Sequence, residues 1–384
     1  MEVNILLDCS THNKVNILKK KSSMTILMIA RSTLYSSPGG DTTQIEMTAK
    51  HLRALGVSVE VVLANEKIEY EKYELIHFFN IIRPDDILCH IKKNMPFVIS
   101  TIFVEFSEFE KVARRGISGL LFKILTPWQI EYLKCIARFL IKGDKIKSKY
   151  FLFHGQFKSI LYVAKNAKLL LPNSHSEYKR LEKLLQKSFP YKKVVNAIDP
   201  GVFKDSVIEN KNYKNHILMV GRIEGRKNQL NVIKALIGTE YQLTIIGKPA
   251  LNQMSYYNEC CKLASQYSNI HFVEEHIEHE KLVSIYKAAK VHVLASWFET
   301  TGLVSLEAAM MDCNIVITKK GDTEEYFSNM AYYCEPDDIE SIRDAIIKAY
   351  HSPVNYKLKA FIKEKYNWDN AAKQTLEAYN SVLN

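Results

Sequence analysis

The chain has 384 residues, 47% hydrophobic and 24% charged, a balance that excludes a disordered polymer and suits two globular domains. Glycine and proline are sparse, at 14 and 10, which excludes collagen-like and linker-dominated sequences; no apolar run reaches the roughly 18 residues of a membrane span. The net charge of +10 is uneven: residues 1–200 hold 31 Lys and Arg against 19 Asp and Glu, and residues 201–384 hold 21 against 23. A basic first half points to an anionic partner, either a membrane surface or a nucleic acid. The apolar run Val3–Leu7 is too short for a secretory signal and is soon followed by Lys14 and Lys19–Lys21. The seven cysteines contain no C-x-x-C and no zinc spacing, and read as reduced thiols in a cytoplasmic protein that binds no metal.

In chain order, Ile26–Ala30 reads as a buried strand. A Gly39–Gly40 turn follows, then a helix over Thr42–Leu55 with Ile45, Ala49 and Leu52 on one stripe, closed by Gly56. Val57–Leu63, Leu75–Phe79, Phe97–Thr101 and Leu169–Leu171 are further strands. The alternation restarts in the second half: strands at Ile217–Val220, Leu243–Ile246, Ile270–Val273, Val291–Leu294 and Ile315–Thr318. Between them lie helices at Asn228–Leu236, Tyr256–Ser265, Glu280–Ala288 and Val304–Met311. Two such series predict an α/β fold of two doubly wound domains facing a cleft, with the polar stretch Pro200–Asn215 between them. Residues before Met24 fit no element.

Three clusters stand at carboxyl ends of strands, where open α/β sheets hold ligands. The first is Gly221-Arg222-Ile223-Glu224-Gly225-Arg226-Lys227-Asn228, which puts two cations five residues apart at a helix start, a setting for a phosphate. The second runs from Glu299 to Glu307 through Gly302, where the free amides of Gly302, Leu303 and Val304 offer an anion site and the absent Cβ lets a ligand approach. Glu307 can accept from vicinal hydroxyls, and Glu299 stands in the loop before the helix. The third is the turn Ser37-Pro38-Gly39-Gly40-Asp41, facing the same cleft from the other domain.

Together these motifs resemble the GT-B glycosyltransferases, in particular the retaining nucleotide-sugar enzymes of family four (glycosyl transferases group 1). The shared features are Gly39-Gly40, Gly221-Arg222 with Lys227-Asn228, Glu299 to Glu307 continuing into Ala308-Ala309-Met310, and Trp368 with Tyr379 near the end. Val195-Asn196-Ala197-Ile198-Asp199 is similar to the family's inter-domain linker. The resemblance implies GT-B architecture: residues 1–200 as an acceptor-side Rossmann-like domain, 201–365 as the nucleotide-sugar donor domain, and 366–384 as a helix returning to the first. It implies that Glu299, Arg222 and Lys227 are catalytic. Gly39, Gly40, Gly302, Leu303, Val304 and Glu307 then bind the donor, with Glu307 on the ribose and Glu299 on the sugar. No D-x-D occurs, which fits a leaving group stabilised by fixed cations and a helix dipole with no cofactor or metal.

Relatives often carry a His after the fourth strand; here Thr101-Ile102-Phe103-Val104-Glu105 has none, and Glu105 is the candidate acceptor contact. Asn173 is a second, either lining the cleft or sharing a helix-cap role with Ser174. Residues 111–149 hold ten Lys and Arg against two acids, interleaved with residues such as Trp128, Phe139, Leu140 and Ile141. That mix reads either as a basic amphipathic insertion on an anionic bilayer or as a core-packed helix pair. The partners expected are a nucleotide-sugar donor and a saccharide or lipid-linked saccharide acceptor of cell-surface polysaccharide assembly, with no nucleic acid. A GT-B nucleotide-sugar 2-epimerase and a non-catalytic sugar- or nucleotide-binding subunit are the rival readings.

Overall fold

Short β-branched and leucine-rich runs without period-two alternation form parallel strands covered on both faces. The structure, a computed structural model, describes residues 24–91, 95–104, 125–142, 146–275 and 277–384. In the first domain these are β1 (Thr25–Ala30), α1 (Gly40–Ala54), β2 (Ser58–Leu63), β3 (Leu75–Phe79), α2 (Pro84–Leu88) and β4 (Phe97–Ser100). They continue through α3 (Pro127–Lys142), α4 (Lys149–Asn166), β5 (Leu169–Leu171) and α5 (His175–Leu185). The sheet is wholly parallel in the order β2-β1-β3-β4-β5.

The second domain runs β6 (Ile217–Val220), α6 (Gln229–Leu236), β7 (Leu243–Ile246), α7 (Met254–Ala264), β8 (Ile270–Val273), α8 (His279–Ala288) and β9 (Val291–Leu294). It closes with α9 (Leu303–Met310), β10 (Asn314–Thr318), α10 (Thr323–Phe327), β11 (Tyr332–Cys334), α11 (Ile339–His351) and α12 (Tyr356–Lys365). Its sheet order, β11-β10-β9-β6-β7-β8, is the Rossmann arrangement, reversing direction between β6 and β9. The strands read from sequence are all present, the helices start one or two residues from where periodicity placed them, and β11, α2, α4, α10, α11 and α12 were not legible as elements; α3 lies in the stretch read as an amphipathic insertion or a helix pair, and α5 begins at the cap read at Asn173 or Ser174. Six of those strands, β4 to β9, are only three or four residues long, so their burial comes from the helices laid on them rather than from their own pattern.

The chain crosses between domains twice, and the crossings pair. The Ile198 amide donates to Tyr366 O and the Trp368 amide to Ile198 O. The final helix, α13 (Trp368–Leu383), begins with Trp368 in the second domain's apolar core and ends with Tyr379 in the first domain's core beside Ile26, Met28 and Ile45. There the Tyr379 hydroxyl meets His77 Nδ1 at 2.7 Å, while His77 Nε2 meets Ser100 Oγ at 2.9 Å. Burial pulls the His77 pKa down to about 3, so this imidazole is neutral and serves as a docking post for α13.

Candidate active site

The two sheets face each other across a cavity of about 660 Å³. Each presents the carboxyl ends of the strands at its switch point: β1 and β3 from the first domain, β6 and β9 from the second. The lining therefore takes Gly39, Gly40 and Asn80 from one side and Arg222, Lys227, Glu299 and Glu307 from the other.

The polar centre is a buried ion pair. Lys227 Nζ donates to Glu299 Oε1 at 2.6 Å, with Arg226 Nη1 3.7 Å from the same oxygen; the Lys227 and Glu299 side chains are 16% and 8% exposed. Burial pushes the Glu299 carboxyl up, but the two cations and the hydrogen bond from Lys227 outweigh it, and the net shift is downward. Burial lowers Lys227 most and the neighbouring Arg226 adds to it, while Glu299 and, more weakly, Glu224 only partly offset them.

The Glu299 backbone is clamped as firmly as its side chain. Its amide donates to Lys320 O at 3.0 Å, and its carbonyl accepts from the Asp322 amide at 2.9 Å. Gly321 sits between them at φ +110°, where an added Cβ would fall 1.9 Å from Glu299 O. Only glycine permits that approach.

Gly302, at φ +71°, caps α9 in the left-handed region. Among the described residues, no protein group accepts from the Leu303 and Val304 amides, which open onto the cavity at the helix's positive end. Arg222 reaches across the cleft, its Nη2 donating to Pro38 O at 2.8 Å. Glu307 Oε2 accepts from Tyr286 Oη at 3.4 Å, and its Oε1 lies 3.6 Å from His279 Nε2.

Residues 203–374 match the family model described as glycosyl transferases group 1. The chain has the GT-B fold, and its second domain matches the group 1 glycosyltransferase family. An uncharacterized glycosyltransferase of Methanocaldococcus jannaschii is 25% identical over 176 residues, 44% of this chain and 45% of that protein, so the match spans less than half of that relative's length. The N-acetylgalactosamine-N,N'-diacetylbacillosaminyl-diphospho-undecaprenol 4-alpha-N-acetylgalactosaminyltransferase of Campylobacter jejuni is 26% identical, over 86% of this chain and 95% of its own. Among solved structures, Anabaena HepE in complex with UDP-glucose superposes with a TM-score of 0.66 at 14% identity, covering 93% and 100% of the two chains, a likeness of fold.

Placed on this fold, the sequence-derived residues Gly39, Gly40, Arg222, Lys227, Glu299, Gly302, Leu303, Val304, Glu307 and Asn173 all line the cavity between the domains. Glu105 lies outside the described residues, as do residues 1–23, 111–124 and 143–145 of the extension and the insertion. Two local expectations are corrected. A Cβ on Gly302 would meet Ile317 Cδ1 at 3.0 Å and Leu294 Cδ2 at 3.5 Å, so glycine is needed there for the left-handed turn and the close packing beneath it, not to admit a ligand. The cap of α5 is Ser174, whose Oγ accepts from the Glu177 amide at 2.9 Å. Asn173 instead exchanges amide hydrogen bonds with Gln44 of α1 at 2.9 and 3.3 Å, both residues being buried.

Sequence reasoning missed Arg226 as a partner of Glu299, although it stands inside the quoted motif. It missed Arg31, Asn80 and Arg83 on the first-domain wall, where no spacing marks them. It also missed Glu177. This buried carboxylate accepts from the Phe103 amide at 2.8 Å, the Asn173 amide at 2.8 Å and the Thr101 hydroxyl, tying the end of β4 to the start of α5. Burial, with the nearby Asp322 charge, pushes its pKa up to about 7 against those three hydrogen bonds. It occupies the neighbourhood where sequence reasoning looked for a histidine.

Proposed function

We propose that this glycosyltransferase moves a sugar, with retention at the anomeric carbon, from a nucleoside diphosphate to a saccharide acceptor carried on a lipid, in cell-surface polysaccharide assembly. The observation that carries this reading is the convergence at the second sheet's switch point of the Lys227–Glu299 pair, Arg222 and the open amides of α9. A departing diphosphate gathers two or more negative charges. Lys227 and Arg222 neutralise them from the β6 side, and the Leu303 and Val304 amides hold them at the end of the α9 dipole. Glu307 takes the ribose hydroxyls and Glu299 the hydroxyls of the donor sugar. Gly39 and Gly40 open α1 on the opposite wall and leave room for the donor's phosphates.

In this reading the fixed cations supply the charge stabilisation that a divalent metal supplies in other transferases, so the reaction needs no metal. The leaving diphosphate oxygen assists attack on the face it vacates, and no protein nucleophile is required. UDP is the first nucleotide to try because HepE, of the same fold, is described in complex with UDP-glucose. A lipid-linked acceptor is supported by the Campylobacter jejuni relative, whose name specifies a diphospho-undecaprenol substrate.

No helix among the described residues is long and apolar enough to cross a membrane. The hairpin of α3 and α4 nonetheless leaves Ile141 81%, Phe153 78% and Leu140 73% exposed, beside exposed Lys149 and Lys158. We assign this tip to peripheral contact with an anionic leaflet at the cytoplasmic face, where such a face loses water from its apolar side chains and gains counter-charge for its lysines.

The test is a thermal-shift screen against UDP, GDP, ADP and TDP with and without EDTA, since a ligand of the native state raises the midpoint. A rise with one nucleotide, insensitive to EDTA and lost in Arg222→Ala, is the expected result. No response to any of the four, or a response abolished by EDTA, overturns the proposed donor site or its metal independence respectively.

A further inference from the structure

The seam between the domains holds a second set of polar contacts, apart from the donor site, and they converge on α5. Glu325 of the second domain caps its first turn, accepting from the His175 amide and the Ser176 amide at 3.1 Å each, while Lys193 Nζ lies 3.1 Å from the same carboxylate. Tyr326 donates its hydroxyl to Asn173 O at 2.9 Å and accepts from the Asn196 amide at 3.0 Å. One turn along α5, Arg180 forks onto both oxygens of Asp322, the longer contact being 2.9 Å; Ser176 Oγ donates to Asp322 Oδ1 at 2.6 Å.

Arg180 and Asp322 are unlike ordinary surface ions. The Asp322 side chain is 1% exposed, and its own amide is the group that holds Glu299 O. The Arg180 guanidinium lies 4.9 Å from the centre of the Phe298 ring, the residue before Glu299, and its Nη2 donates to Phe103 O at 3.4 Å on the first-domain wall. Phe103 is in turn held by Glu177 through its amide. A continuous path thus runs from the end of β4, through Glu177, Phe103, Arg180 and Asp322, to the backbone of Glu299.

We propose that Arg180 and Asp322 are positioning residues that hold the Glu299 loop of the donor domain in register with the first-domain wall of the cleft. This rests on the transferase site described above. A planar bidentate pair fixes orientation as well as distance, and the stacked ring denies the guanidinium its other rotamers. Transfer needs the two substrates aligned within a fraction of an ångström, and the substrates are held by different domains. Breaking the pair leaves Asp322 a buried charge whose remaining side-chain donor is Ser176, and separation of the domains is the way that charge regains water.

The test compares wild type with Arg180→Met, Arg180→Lys and Ser176→Ala. Affinity for UDP, GDP, ADP and TDP is measured by calorimetry, nucleotide release from sugars carrying the preferred base by coupled assay, and radius of gyration by solution scattering. The proposed contacts to the nucleoside diphosphate, from Arg222, Lys227, Leu303 and Val304 to its phosphates and from Glu307 to its ribose, lie within the second domain. Arg180→Met is therefore expected to bind the diphosphate within about twofold of wild type, to turn over at least about tenfold more slowly and to show a larger radius of gyration. Arg180→Lys keeps the charge without the fork and should fall between; Ser176→Ala, which takes one hydrogen bond from Asp322 and a longer one from Glu325, should lose about threefold in turnover. Turnover and diphosphate affinity falling in proportion, or turnover and radius both unchanged, overturns the inference. If wild type binds none of the four diphosphates, the donor-site reading is what has failed. The scattering arm then decides this inference alone, an unchanged radius in Arg180→Met and Arg180→Lys counting against it.

Discussion

The Lys227–Glu299 pair gives the sharpest prediction because both partners are desolvated and each is removable without steric cost. Lys227→Met leaves the Glu299 carboxylate, 8% exposed, with Arg226 at 3.7 Å as its remaining cation. Breaking a buried pair from one side costs about 3–5 kcal/mol, and the residual Arg226 contact places this variant near about 3 kcal/mol. Glu299→Gln leaves Lys227 and Arg226 as adjacent cations, with Arg226 still paired to Glu224 at 2.9 Å, and should cost a similar amount. The double variant removes the buried charge imbalance, so its loss should fall about 2 kcal/mol or more short of the sum of the single losses. Urea unfolding followed by tryptophan fluorescence measures this, Trp297 being two residues from Glu299. Losses that add within about 0.5 kcal/mol would refute the claim that the two charges share one desolvated site. If Lys227 also stabilises a leaving diphosphate, Lys227→Met should lower turnover by about 100-fold or more.

Two further outcomes follow from buried groups. The Glu177 carboxyl is raised from 4.5 to about 7, so its protonated form is the one the fold favours; this contribution is fully present below about pH 4.5 and is lost as pH rises through about 7. Glu177→Gln cannot ionise. Its stability relative to wild type, from urea unfolding at pH 5 to 8, should improve with pH by up to about 3 kcal/mol, and a pH-independent difference would count against the buried, protonatable carboxyl. Tyr379→Phe strips His77 Nδ1 of its partner in a fully buried setting and should cost about 1–3 kcal/mol while leaving nucleotide affinity unchanged. A loss under about 0.5 kcal/mol would show that apolar contacts alone dock α13.

The comparison between sequence and structure divides along a physical line. Strands such as Ile26–Ala30 and Val291–Leu294, and the helix-closing Gly56, were legible because burial on both faces and left-handed backbone each demand particular residue types locally. The site motifs were legible for a related reason: a strand end followed by a helix start is a local geometry, so Arg222, Lys227, Glu299 and Glu307 sit where their spacing placed them. The helices α2 and α4 were not, because α2 is five residues long and α4 is interrupted at Gly155 and buries the polar Gln156 and Ser159 among its apolar residues.

What the amino-acid sequence determined by itself was thus the alternation of strands and helices, the two-domain α/β class and the residues at each strand's carboxyl end. Only the tertiary structure decided which of those residues meet. Lys227 and Glu299 are 72 positions apart, Arg180 and Asp322 142, and His77 and Tyr379 302. No local rule couples positions so distant. Their pairing follows from the order of strands in the sheets, the return of α13 across the seam and the cost of leaving a buried charge or ring nitrogen without a partner.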